Sequence, residues 1–171
     1  MNISDQWDVL TAARKSAPVG VHVLPEKLGI GLQAAFLTQG ISGMLERIGD
    51  SFLITVSAKD PYTRQRFTLA HELGHYMLHR HLVGDGIDDD RAYRSTESGK
   101  YHNTMIGPSE ETEANKFAAN LLMPRELVNL EKKKPGTTVA SMAQLFGVSE
   151  HAMSIRLGLS YPEGSLPSVD H

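Results

Sequence analysis

The sequence predicts an α+β fold: a small antiparallel sheet packed on one long helix and on a second helix behind it, with a helical C-terminal part. Three observations predict it. The stretch GMLERIGDSFLITVSA, from Gly43, places β-branched and apolar residues on both sides of Gly49-Asp50, the pattern of an antiparallel hairpin. From Arg64 the apolar period changes: Phe67, Ala70, His71, Gly74, His75 and Leu78 recur at three and four, so a helix is expected from about Arg64 to Arg80. From Thr112 to Met123, Ala114, Phe117, Ala118, Leu121 and Leu122 share one helical face.

The remaining elements follow in order. Asp5 to Ser16 reads as a first helix, ended by Pro18 and Gly20. Leu24 to Gly29 reads as a second, with Pro25 in the first turn, where its missing N–H is not needed. Leu32 to Thr38 is short and apolar and fits a strand, and Lys59 to Thr63, with Pro61, a loop. Gly74 is a weak helix former, and a glycine inside a helix often admits the close approach of another backbone. Residues 83–109 are polar and irregular, long for a connection within a compact domain, and such loops are usually functional or mobile. Ser109 can cap the next helix and Pro124 ends or bends it. Arg125 to Lys134, Thr138 to Phe146 and Glu150 to Leu159 read as three further helices, and the tail from Pro162 as loose. The expected organisation is one domain over 1–171, with a core over 1–124, a helical subdomain over 125–161 and a tail over 162–171.

Composition narrows the function classes. Hydrophobic residues make up 40% and charged residues 22%, which excludes a disordered chain. The net charge of -3 lacks the basic excess of a nucleic-acid footprint, so direct nucleic-acid binding is not expected, and Lys132 to Lys134 reads as a solvated helix end. There are no cysteines, so any metal must be held by His, Asp or Glu. The N-terminus, MNISDQWDVL, has acidic residues where a signal peptide is basic. No apolar run approaches the ~18 residues of a membrane span, and the expected location is the cytoplasm.

The chemistry is concentrated in RFTLAHELGHYMLHRH, residues 66–81. His71-Glu72-Leu73-Gly74-His75 is HExxH. On a helix, positions four apart lie on one face about one turn along, so two imidazoles can reach one ion. Glu72 is angled toward the attacking water rather than toward the ion, where a carboxylate can act as general base. A catalytic zinc usually has three protein ligands, so a third must come from elsewhere. The helix over 109–123 opens with Glu110-Glu111-Thr112-Glu113. Acids in a first turn also answer the helix dipole, but beside HExxH one of them is expected to be the ligand. Glu111 and Asn115 are four apart and share a face, an arrangement that suits a ligand and a polar residue orienting the site.

RFTLAHELGHYMLH, then ETEANKFAANLLMP, then AQLFGVSEHAMSIRL together resemble the ImmA/IrrE family of bacterial and phage zinc metallo-endopeptidases, over roughly residues 10–160. The resemblance implies His71 and His75 as zinc ligands, Glu72 as general base and Glu111 as third ligand. Asn115 would orient a ligand, and Glu113 is the alternative third ligand. It also implies Zn2+ as cofactor and a protein substrate, a helix-turn-helix repressor or antitoxin. A stand-alone peptidase is then expected. A component of a regulatory or toxin–antitoxin-like pair that keeps the zinc fold without cleaving is the alternative.

Other residues are read as structural. His79 continues the spacing but lies ~12 Å along the axis from His71, too far for the same ion, and is read with His81 as a helix-end or packing histidine. Tyr101 and His102 are read as a surface pair, and Asp85 to Asp90 as a solvated loop without calcium-site spacing. The last two helices have the form of a helix-turn-helix, but Glu150 at the start of the second would repel phosphates, so they are expected to pack on the core or touch a protein partner.

Overall fold

A computed structural model describes residues 1–83, 93–94 and 105–159. β1 (Gly31–Ala35), β2 (Gly43–Ile48), β3 (Ser51–Ser57) and β4 (Tyr93–Arg94) form one sheet in the order β1-β3-β2-β4. The expected hairpin is β2–β3, with Ile48 opposite Ser51 and Gly49 at φ +61. A two-residue turn needs that positive φ, which glycine adopts without strain. The fold is α+β as expected, but the sheet is mixed. β1 lies parallel to β3, Gly31 opposite Leu53 and Ala35 opposite Ser57, while β4 pairs antiparallel with β2.

Leu45 and Ile54 face each other across the hairpin and are fully buried. Strand side chains alternate between faces, so Gly43 shares the face of Leu45. α3 (Tyr62–His79) packs against β2 and β3. Gly43 is required there: a Cβ at this position would collide with the Thr68 methyl and lie 3.2 Å from Glu72 Oε1.

α4 (Pro108–Leu122) packs along α3 more extensively than any other pair of elements. Its cap is Gly107 rather than Ser109. Pro108 occupies the first turn, where its fixed φ suits a helix start, and the Gly107 N–H donates to Glu110 Oε2 at 2.8 Å. Ala114, Ala118, Leu121 and Leu122 are buried, the face that the periodicity marks out.

α1 (Ile3–Ala13) is capped by Asn2, whose Oδ1 accepts from the Asp5 N–H, and α2 (Leu24–Leu28) ends on Gly29 in the left-handed region. α5 (Arg125–Glu131) follows Pro124. α6 (Val139–Phe146) and α7 (Glu150–Arg156) form the helix-turn-helix-like pair. Its apolar side is turned inward: Met142, Phe146 and Met153 belong to the same buried core as Leu45 and Leu73.

Arg66 fastens this pair to the rest. Its side chain is 5% exposed. Nε donates to the Gly147 carbonyl at 3.0 Å and Nη2 to the Val19 carbonyl at 2.8 Å. Gly147 ends α6 at φ +65, and a Cβ there would come within 2.8 Å of Arg66 Nε. Among the described residues, no helix is long and apolar enough to cross a membrane. The stretch Asp85 to Asp90, Tyr101, His102 and the tail from Pro162 lie outside the described residues.

Candidate metal centre

α3 carries His71, Glu72 and His75 on buried turns, at 5%, 0% and 0% exposure. α4 brings Glu111 against them. His71 Nε2 lies 2.9 Å from His75 Nε2 and 3.1 Å from Glu111 Oε2, and His75 Nε2 lies 3.8 Å from the same oxygen. These three atoms form a group that can hold a metal ion. Tetrahedral bonds of ~2.0–2.1 Å put ligand atoms ~3.3 Å apart, and the three distances bracket that spacing.

The far side of each imidazole is hydrogen-bonded, which leaves Nε2 of both rings facing the group. His71 Nδ1 is 2.8 Å from Asn115 Oδ1. That oxygen can only accept, so Nδ1 carries a proton and Nε2 is the ring nitrogen left to face a metal. Behind His75 runs a chain: His75 Nδ1 to His79 Nδ1 at 3.0 Å, and His79 Nε2 to Glu113 Oε2 at 2.9 Å. The Glu113 carboxylate accepts from His79 Nε2–H. Where His75 donates through Nδ1–H to His79 Nδ1, His75 Nε2 is the nitrogen left for a metal.

The charges agree with a cation-accepting site. Burial opposes ionisation of Glu111, but the His71 and His75 rings beside it outweigh that and hold the carboxyl at about 2. Burial, aided by repulsion from His71 and His79, lowers His75 to about 4, so it stays neutral. Burial also pulls His71 down, but the Glu111 hydrogen bond and the nearby Glu72 charge together raise it. Both Glu72 oxygens are shielded from solvent.

The structure therefore brings His71, His75 and Glu111 together, with Asn115 on His71 and Glu72 beside them. Glu113 is not in the group; it is bonded to His79. His79 is more than the packing histidine expected from its distance along the axis, because it reaches the site through His75 rather than through the ion. Two signals in the sequence could have found it: the repeat of histidine at four, and a second acid on α4 two positions after the first. His81 is exposed.

A groove of about 470 Å³ opens beside Asn115 and Thr112, between the start of α3, α4 and α7. Phe67, Ala119, Met123, Val148, Ala152 and Ile155 give it apolar walls.

No curated protein matches the chain. Among solved structures, a Mycobacterium tuberculosis transcriptional regulator is similar in fold, with a TM-score of 0.54 at 16% identity. The match covers 94% of this chain and 52% of the regulator, so the chain spans about half of that protein's length. The family resemblance carried by the HExxH and ETEAN blocks has a direct counterpart in a family model, the IrrE N-terminal-like domain, which matches residues 19–158, and the chain belongs to this peptidase family, M78.

Proposed function

We propose that the protein is a zinc-dependent endopeptidase that hydrolyses a peptide bond in a protein partner, a helix-turn-helix repressor or antitoxin. The observation that carries the reading is the convergence of two imidazole Nε2 atoms and one carboxylate oxygen from two helices, with Glu72 on the same turn as the first imidazole. His71, His75 and Glu111 would hold the ion. Zinc bound there would supply Lewis-acid activation of water and of a peptide carbonyl. Glu72 takes the proton of the attacking water and returns it to the leaving amine. Its buried carboxylate meets little competing solvent. Asn115 and His79 bond the far sides of the imidazoles and leave Nε2 of both for the ion. The apolar groove beside Asn115 accepts a substrate side chain. The partner class rests on the family resemblance.

A second reading has one observation in its favour. The solvent-shielded Glu72 also suits a component that binds its partner without cleaving it. The experiment is to incubate the zinc-loaded protein with helix-turn-helix proteins of its host and to follow new N-termini by mass spectrometry, beside Glu72→Gln. Cleavage that is lost in Glu72→Gln while zinc is retained supports the peptidase. Partner inactivation without new N-termini, unchanged in Glu72→Gln, supports the binding component and overturns the peptidase.

A further inference from the structure

A second groove, of about 520 Å³, lies between α1, the outer side of α4 and the ends of α5 and α7. Arg14, Lys116, Arg125 and Arg156 all line it, in a chain whose net charge is -3. Among the described residues none of these four forms an ion pair. The one carboxylate in the lining, Glu113, already accepts from His79.

Two of the arginines are held in place. Arg14 Nε donates to the Asn120 carbonyl at 3.1 Å and Arg156 Nε to the Met123 carbonyl at 2.9 Å. Their terminal nitrogens remain for another partner. Arg156 Nη2 is shielded from solvent and has no hydrogen-bond partner among the described residues. A buried donor left without a partner is unfavourable, and a bound acceptor would relieve it. Burial, and then the charges of Arg125 and Arg14, push the Arg156 guanidinium below the usual arginine range. Converging cations that destabilise one another are relieved by a multivalent anion. Planar guanidinium forks match the oxygens of a phosphate in pairs, which makes phosphate a better fit than a single carboxylate.

The rest of the groove is apolar and partly aromatic. Trp7 is 40% exposed, with its ring edge-on to Phe117 at 6.0 Å. Leu10 and Leu121 continue the wall. The volume falls in the range of small-molecule sites, roughly 300–1,000 Å³.

We propose that this groove binds a small phosphate-bearing molecule with a planar aromatic ring, such as a nucleoside monophosphate. Glu113 is shared with the chain behind His75, but the proposal does not depend on the peptidase reading.

Trp7 is the single tryptophan of the chain, so its fluorescence reports occupancy directly. The full chain is titrated at constant ionic strength with adenosine monophosphate and, separately, with inorganic phosphate. The expected result is a saturable change with both, at lower concentration for the nucleotide. Arg125→Glu alters an exposed residue in the first turn of α5, where an acid is favoured by the helix dipole, so the fold is retained. This variant should weaken binding about ten- to a hundredfold, the effect of removing a charge-assisted hydrogen bond. Lys27→Glu makes the same charge change at an exposed position on α2 and should leave binding unaltered. No saturable change with either ligand overturns the proposal. So does equal weakening in the two variants, which would mark the effect as diffuse charge attraction. Equal affinity for nucleotide and inorganic phosphate overturns the planar aromatic ring.

Discussion

Gly74 of α3 lies against the backbone of Ala114 of α4: a Cβ on Gly74 would be 3.2 Å from Ala114 Cα and 3.1 Å from Phe117 Cδ1. The two helices approach this closely one residue before His75, and the approach lets Glu111 reach both imidazoles. Gly74→Ala should gain up to ~1 kcal/mol of helix propensity. The added methyl meets backbone, which cannot rotate away, and overpacking of this kind costs about 1–3 kcal/mol. The expected outcome is a net loss of stability and weaker metal binding, read by thermal melting with and without zinc. A variant more stable than the wild type in both conditions would show slack between the helices.

Glu111→Ala and Glu113→Ala should behave differently. The first removes a ligand and should abolish stoichiometric zinc in the purified protein. The second removes the acceptor behind His79 and should keep one equivalent while lowering affinity, by about 10–100-fold. Metal analysis with chelator competition separates them. Zinc retained in Glu111→Ala and lost in Glu113→Ala would reverse the assignment of the two acids.

Asn115→Ala should also lower zinc affinity by about 10–100-fold, because the His71 ring loses the partner that fixes its tautomer and orientation. Nitrogen chemical shifts of the His71 ring in the metal-free protein give an independent reading. The wild type should show the Nδ1–H form, and the variant a mixture. A wild-type ring without a proton at Nδ1 would remove the basis for the role of Asn115.

Arg66→Met should cost about 3 kcal/mol, since it removes a buried cation and strands the carbonyls of Gly147 and Val19. Urea unfolding measures it. The loss should appear equally in the presence and absence of zinc, as Arg66 touches none of the ligands. An effect seen only with zinc bound would place Arg66 in the site rather than in the frame.

Zinc removal should loosen the protein. A ligand at a thousandfold over its Kd stabilises by about 4 kcal/mol through mass action. Adding a strong chelator should therefore lower the melting temperature of the wild type, and leave that of Glu111→Ala where it was. An identical fall in both would point to an effect of the chelator itself.

Much of this arrangement is legible in the sequence. The hairpin announces itself through Gly49-Asp50, and α3 and α4 through their periods. HExxH places two histidines on one turn by helical geometry alone. What stayed hidden has a common cause. The parallel pairing of β1 with β3 skips over β2 and leaves no local mark, so an apolar run could be read as a strand but not given a neighbour. Arg66 looks like any helix-surface arginine until α6 and the loop at Val19 close over it. His79 and Glu113 are each unremarkable, and their meeting is decided by how α4 is rotated against α3. The choice between Glu111 and Glu113 depends on that same rotation.

The division of the site between α3 and α4 has a consequence during synthesis. His71 and Asn115 are 44 residues apart. A nascent chain that has released α3 but not α4 presents two histidines without the carboxylate or the amide that organise them. On the proposed ligand set, such a chain should hold zinc no better than any pair of imidazoles, and loading should follow the docking of α4 rather than guide it.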